Sequence, residues 1–215
     1  KDLKLSPDSI QPVCGITENI LALSVRSDRP FKTLADLIAA GKSKSLSYGS
    51  PGPNSAPFLA VDDLARHQKL DLVHIPFKGD AASIQELLAG RLDFATSIAA
   101  SAAAQVKAGT VRLLAVASER RHPGFPDVPT LKELGIEVTQ LSFAGIFAPK
   151  GTPPQVLAKL YAACAVAVKS DAVKDAAQKS NQILAYQAMP QWDKRVHDEF
   201  QKQGAAFRAA GGVRQ

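Results

Sequence analysis

The sequence has 215 residues, of which 46% are hydrophobic and 21% charged, and its formal net charge is +6. That length suits one large domain or two small lobes, and the balance is that of an ordinary globular protein. No apolar run approaches the ~18 residues of a membrane-spanning helix. Aromatics at 6% are too few, and the lysines too scattered, for a nucleic-acid platform.

Taken in chain order, Lys1-Asp2-Leu3-Lys4 lacks the apolar region of a signal peptide, so any export signal has been removed or lies outside this sequence. Ile20-Leu21-Ala22-Leu23-Ser24-Val25 reads as a buried strand. Thr33 is placed to cap a helix through Leu34, Leu37 and Ile38 that stops at Gly41. Leu46-Ser47-Tyr48 reads as strand, followed by the turn Gly49-Ser50-Pro51-Gly52-Pro53-Asn54-Ser55 and a helix carrying Phe58, Leu59, Val61 and Leu64. A strand over 70–75 leads to a second turn, Phe77-Lys78-Gly79, and to a helix with Ile84, Leu87 and Leu88 for which Asp80 or Ser83 is the expected cap. Asp93 to Ser97 is a short strand, and an Ala-rich helix then runs to Gly109. Val111 to Ala117 is almost wholly apolar, as strands of a parallel sheet covered on both faces tend to be.

After Pro149 the pattern changes to helices. One starts at Thr152-Pro153-Pro154 with an apolar stripe at Val156, Leu157, Leu160, Cys164 and Val168, and a second covers 172–179. Ile183 to Tyr186 is a short strand. The last helix begins near Pro190, and Trp192, Val196, Phe200 and Phe207 are its expected core residues. The strand and helix alternation predicts an open α/β sheet, whose ligands sit at the carboxyl ends of the strands.

Both turns fall at such strand ends. Each leads into a helix start, where unpaired N–H groups and the positive end of the dipole favour an anion without a charged side chain. Nothing nearby points to catalysis. Lys78, beside Gly79, reads as a carboxylate-attracting or solvent-exposed cation, Ser50 does not meet the Gly-x-Ser-x-Gly pattern, and Asp127 reads as a turn residue. His67, His74, His122 and His197 lack paired metal-ligand spacing, so neither a metal nor a cofactor is expected. Cys14 and Cys164 sit in apolar contexts far apart and read as two buried reduced thiols rather than a bridge.

Several segments together resemble the substrate-binding proteins of tripartite tricarboxylate transporters, the Bug or TctC-like family. They are 46–60, His74-Ile75-Pro76-Phe77-Lys78-Gly79, Lys107-Ala108-Gly109 with Leu113-Leu114-Ala115-Val116, Pro126-Asp127-Val128-Pro129-Thr130, Glu133-Leu134-Gly135 and Ala148-Pro149-Lys150-Gly151-Thr152-Pro153. The matches run through nearly the whole chain in order. The resemblance implies an α/β, periplasmic-binding-protein-like (type II) two-lobed fold, with a complete second lobe (24–145) and a partial first lobe (1–23 and 146–215). It implies no enzyme but a periplasmic receptor that closes on a small carboxylate or related metabolite in an interlobe cleft and presents it to membrane transporter subunits. The hinge would lie near Ser24–Val25 and Phe143–Gly145.

Carried over by position, Ser50, Gly52, Asn54 and Ser55 would line the first turn, and Lys78, Gly79, Asp80 and Ala81 the second. Ser97, Ile98, Phe143 and Ala144 are the expected selectivity positions. This chain departs from the family at Ser97-Ile98, where an Asp-Asn pair is common, which points to a more apolar ligand. It departs again at Phe58, where a His is common and where packing against the sheet is expected. The family's upstream strand–helix units and their Pro-Pro-Gly-Gly-type loop have no counterpart here. That leaves open self-association through an incomplete first lobe, and an alternative reading as a receptor-fold module that acts as a sensor or protein-interaction partner.

Overall fold

The computed structural model describes residues 7–53, 55–209 and 211. The chain forms two compact units. Unit 1 holds Lys1–Asn19 and Phe143–Ala205, and unit 2 holds Ile20–Ser142 and Ala206–Gln215. One 17-residue strand, β1 (Ile10–Arg26), contributes to both. Only its second half was expected from the sequence, because the first half, with Gln11, Pro12 and Glu18, lacks a continuous apolar run.

In unit 2 the strands β2 (Leu46–Ser50), β3 (Leu72–Pro76), β4 (Phe94–Ile98) and β5 (Val111–Val116) stand in the order β3-β2-β4-β1-β5. β2 pairs parallel with β3 and β4, while β1 runs antiparallel to β4 and β5. The expected parallel neighbour for Val111–Ala117 is therefore corrected. That strand is apolar because both its faces are covered, and coverage says nothing about the direction of the strand beside it.

Alternation along the strands explains the layers. Leu46, Tyr48 and Phe94 point to one face, where they pack with Leu34, Leu37, Val61 and Leu64 from α1 (Leu34–Ser43) and α2 (Ala56–Gln68). Ala95 points to the other face, into a smaller cluster with Leu87 of α3 (Asp80–Leu88), Leu92 and Val111. Thr33 does cap α1. Its hydroxyl accepts from the Asp36 amide while the Asp36 carboxylate accepts from the Thr33 amide, a capping box. The expected caps on α3 are corrected: its N-cap is Gly79 at φ 101, a left-handed value that suits glycine, and no side chain caps it. The Ala-rich stretch is shorter than expected, a 3-10 turn over Ala99–Ala102 and then α4 (Ala103–Lys107).

In unit 1 the first half of β1 pairs with β7 (Ile183–Gln187) and with β6 (Leu141–Pro149), a strand the sequence did not announce. Three helices accompany them: α5 (Pro154–Ala167), α6 (Asp171–Lys179) and α7 (Gln191–Ala209). The two cysteines, expected as separate reduced thiols, are joined. Cys14 on β1 and Cys164 on α5 form a disulfide with their Cα atoms 6.7 Å apart, inside an apolar cluster with Val13, Leu157 and Val168. Their apolar contexts were read correctly, but 150 residues of separation hide the fact that the strand and the helix face each other.

Trp192 is fully buried, its ring over Gly15 and Gly145 and edge-on to Phe143 at 5.0 Å. Of the other expected core residues of α7, Val196 is buried, whereas Phe200 is 51% exposed. On α5 the stripe narrows, with Leu157, Cys164 and Val168 buried and Val156 exposed.

Candidate functional site

Because β2, β3 and β4 run parallel, their carboxyl ends and the starts of α2 and α3 meet at one edge of unit 2. The Phe77 amide donates to the Ser50 carbonyl at 2.9 Å, which holds the second turn against the first. The first turn is knotted around Gly52. The Gly52 carbonyl accepts from the Ser55 hydroxyl at 2.8 Å, the Ser55 amide at 3.2 Å and the Ser50 hydroxyl at 3.2 Å. Gly52 adopts φ 141, with nothing within 4 Å of the place where a Cβ would stand. Backbone can thus approach a ligand closely here.

Ser55 is the N-cap of α2, its hydroxyl accepting from the Phe58 amide at 3.3 Å. Ser50, at the end of β2, is fully buried, and its Oγ lies 2.7 Å from His74 Nε2. The β2–β3 register sets Tyr48 opposite His74. The imidazole rests between Tyr48, at 5.0 Å between ring centroids, and Phe58, at 4.7 Å. Phe58 therefore packs on the sheet side, as expected, against His74. Burial holds the His74 pKa below its usual value, which favours the neutral ring. Sequence reasoning set His74 aside for want of metal spacing. The signal it needed was the pairing of two strands 24 residues apart.

The second turn is built differently. Gly79 starts α3, and the amides of Asp80, Ala81 and Ala82 have no acceptor among the described residues, leaving donors at the helix mouth. Lys78 and Ala81 are exposed, while Gly79 and Asp80 are half-buried. The Asp80 carboxylate accepts from the Ile98 amide at 3.0 Å and from the Ser101 hydroxyl at 2.7 Å. Burial raises the Asp80 pKa, and those two hydrogen bonds counter the rise. Ser97 is buried, its hydroxyl donating to the Ile98 carbonyl at 3.3 Å.

The fold thus brings Ser50, Gly52, Ser55, Lys78, Gly79, Asp80, Ala81 and Ser97 to the strand-end edge of unit 2. The Ser50 hydroxyl bonds to the Gly52 carbonyl and to His74, and the Ser97 hydroxyl to the Ile98 carbonyl. Asn54 lies outside the described residues. Phe143 belongs to unit 1, where its ring meets Trp192 and carries the Arg195 guanidinium 5.4 Å from its centroid. Among the described residues, no group of three His, Cys, Asp or Glu side chains is placed to hold a metal ion.

Comparison with known proteins adds three findings. The family model described as tripartite tricarboxylate transporter family receptor matches residues 2–211. Among curated relatives, a UPF0065 protein in the gbd 5' region of Cupriavidus necator is 35% identical over 191 residues, covering 88% of this chain and 58% of its own. Protein BugT of Bordetella pertussis is 31% identical over 209 residues, covering 95% of this chain and 64% of its own. Among solved structures, a ligand-free TctC solute-binding protein from Polaromonas superposes with a TM-score of 0.81 at 30% identity, over 96% of this chain and 72% of that one. MatC from Rhodopseudomonas palustris, with bound malate, gives 0.83 at 26% identity over 96% and 72%. The chain spans about half the length of the curated relatives it matches, 58% of the Cupriavidus protein among them.

Proposed function

Because the chain belongs to the tripartite tricarboxylate transporter receptor family, we propose that it serves as an extracytoplasmic solute receptor. It reversibly binds a small carboxylate and delivers it to a membrane transporter of that type. The observation that carries this reading is the family match over residues 2–211. The strand-end edge supports it physically, since it presents unpaired helix-terminal amides, an exposed Lys78 and a glycine turn open to close approach. The neighbour MatC holds malate, a carboxylate of this class.

In this reading Gly52, Ser55, Lys78, Gly79 and Ala81 face the ligand, while Ser50, through its bond to His74, and Ser97 shape the turns from below. A periplasmic location follows from the same reading. It suits the Cys14–Cys164 bridge, since disulfides persist in oxidising compartments. Among the described residues no helix is long and apolar enough to cross a membrane. The test is a thermal-shift screen of the full-length protein against small carboxylates and uncharged analogues. A true ligand raises Tm in step with its concentration. A protein whose Tm responds to no carboxylate, or only to uncharged analogues, refutes the reading.

A further inference from the structure

A carboxylate of the chain itself stands at the mouth of α3. Asp80 is the first residue of that helix, and its Oδ2 accepts from the Ile98 amide and the Ser101 hydroxyl, both at the corner where β4 gives way to the 3-10 turn. No cation pairs with Asp80 among the described residues, and its remaining oxygen, Oδ1, has no hydrogen-bond partner there. Two donors that a solute carboxylate could use are therefore already answered. What this corner offers a solute is an acceptor oxygen and a negative charge. A second solute carboxylate placed here meets a like charge, whereas an ammonium meets an opposite one with hydrogen-bonding capacity to match. Positive character lies beside it, at Lys78 and the free amides of Asp80, Ala81 and Ala82. The edge is dipolar.

We propose that Asp80 is a specificity-determining residue that makes this site select amino carboxylates over dicarboxylates, the solute's ammonium meeting Asp80 and its carboxylate meeting the amides and Lys78 of the turns. The inference rests on the carboxylate-receptor reading above.

The test is calorimetric titration of the full-length protein with matched pairs in which an ammonium replaces one carboxylate: succinate and β-alanine, glutarate and γ-aminobutyrate, adipate and δ-aminovalerate. The wild type is expected to bind the amino member of its best pair at least tenfold more tightly than the diacid. Asp80→Asn keeps an oxygen for Ile98 and Ser101 but removes the charge, and is expected to shrink that ratio at least tenfold. Ser101→Ala weakens the strut while keeping the charge, and is expected to preserve the ratio. A wild type that prefers diacids overturns the proposal, as does a ratio unchanged in Asp80→Asn or lost equally in Ser101→Ala. Should Asp80→Asn not fold, the wild-type ratio and Ser101→Ala decide between the same outcomes. If no member of any pair binds but another carboxylate raises the Tm, Asp80 selectivity falls alone. If no carboxylate binds at all, the receptor reading falls with it.

Discussion

Removing the Cys14–Cys164 bridge is expected to destabilise unit 1 by several kcal/mol, and the size of the effect reports how the two units unfold. A cross-link stabilises chiefly by restricting the unfolded chain, and its effect grows with the logarithm of the loop it closes. The bridge closes a loop of 150 residues, and that loop contains unit 2 from Ile20 to Ser142. If both units unfold together, the loop-closure relation gives about 5 kcal/mol at 25 °C. If unit 2 stays folded while unit 1 opens, only roughly 30 residues of the loop become free, and the same relation gives about 3.6 kcal/mol.

Trp192 is the single tryptophan and is fully buried in unit 1, so its fluorescence follows that unit, while far-UV circular dichroism follows the whole chain. The assay is urea unfolding of the oxidised protein and of a Cys14→Ser, Cys164→Ser double variant, read by both probes. With a urea slope of about 1–3 kcal/mol per M, a loss near 3.6 kcal/mol moves the fluorescence midpoint down by roughly 1–4 M. Equal shifts by both probes indicate joint unfolding, whereas a circular dichroism curve that splits into two steps, only the earlier of which moves with fluorescence, indicates that unit 1 opens alone. A midpoint shift under about 0.2 M in the double variant would refute the reasoning, because it is far below what even the shorter loop provides.

Three further outcomes are expected. Gly49→Ala, whose Cβ would lie 2.7 Å from Leu92 and 2.8 Å from the buried Ser83 hydroxyl, should cost about 1–3 kcal/mol in urea unfolding, and a neutral variant would show that α3 yields easily. Ser55→Ala removes the α2 cap and should cost about 1 kcal/mol by circular dichroism, with lower solute affinity because the first turn loosens. His74, held neutral by burial, makes folding pH-dependent. The folded-state pKa lies below the usual 6.5, so its contribution to stability is intact above that value and is lost as pH falls below it. His74→Gln should therefore flatten the Tm profile between about pH 7 and pH 5, and parallel profiles for wild type and variant would discount the histidine.

The comparison of sequence with structure separates along the range of the interactions involved. The strands β2 to β5, the helices around them and both helix mouths were legible because strand and helix periodicity and turn chemistry act within a few residues. Thr33 announced the start of α1 for the same reason. The first half of β1 and all of β6 were not legible. The first half of β1 lacks a long apolar run of its own, and β6, though mostly apolar, has no polar–apolar alternation to mark it as a strand and exposes Ile146 and Phe147. Phe200 shows the converse, a residue at helical spacing for burial that remains 51% exposed.

What the sequence by itself determined is the order of elements in unit 2, the placement of two anion-favouring helix starts at strand ends, and the family. All three are written in local patterns and short ordered motifs. Only the tertiary structure decided that β1 runs against β4 and β5, that Cys14 meets Cys164 across 150 residues, that Ser50 rests on His74, and that Asp80 reaches Ile98 and Ser101 instead of capping its own helix. Each of these depends on which distant segments share an edge or a face. Packing of the whole chain sets that, and no local pattern records it.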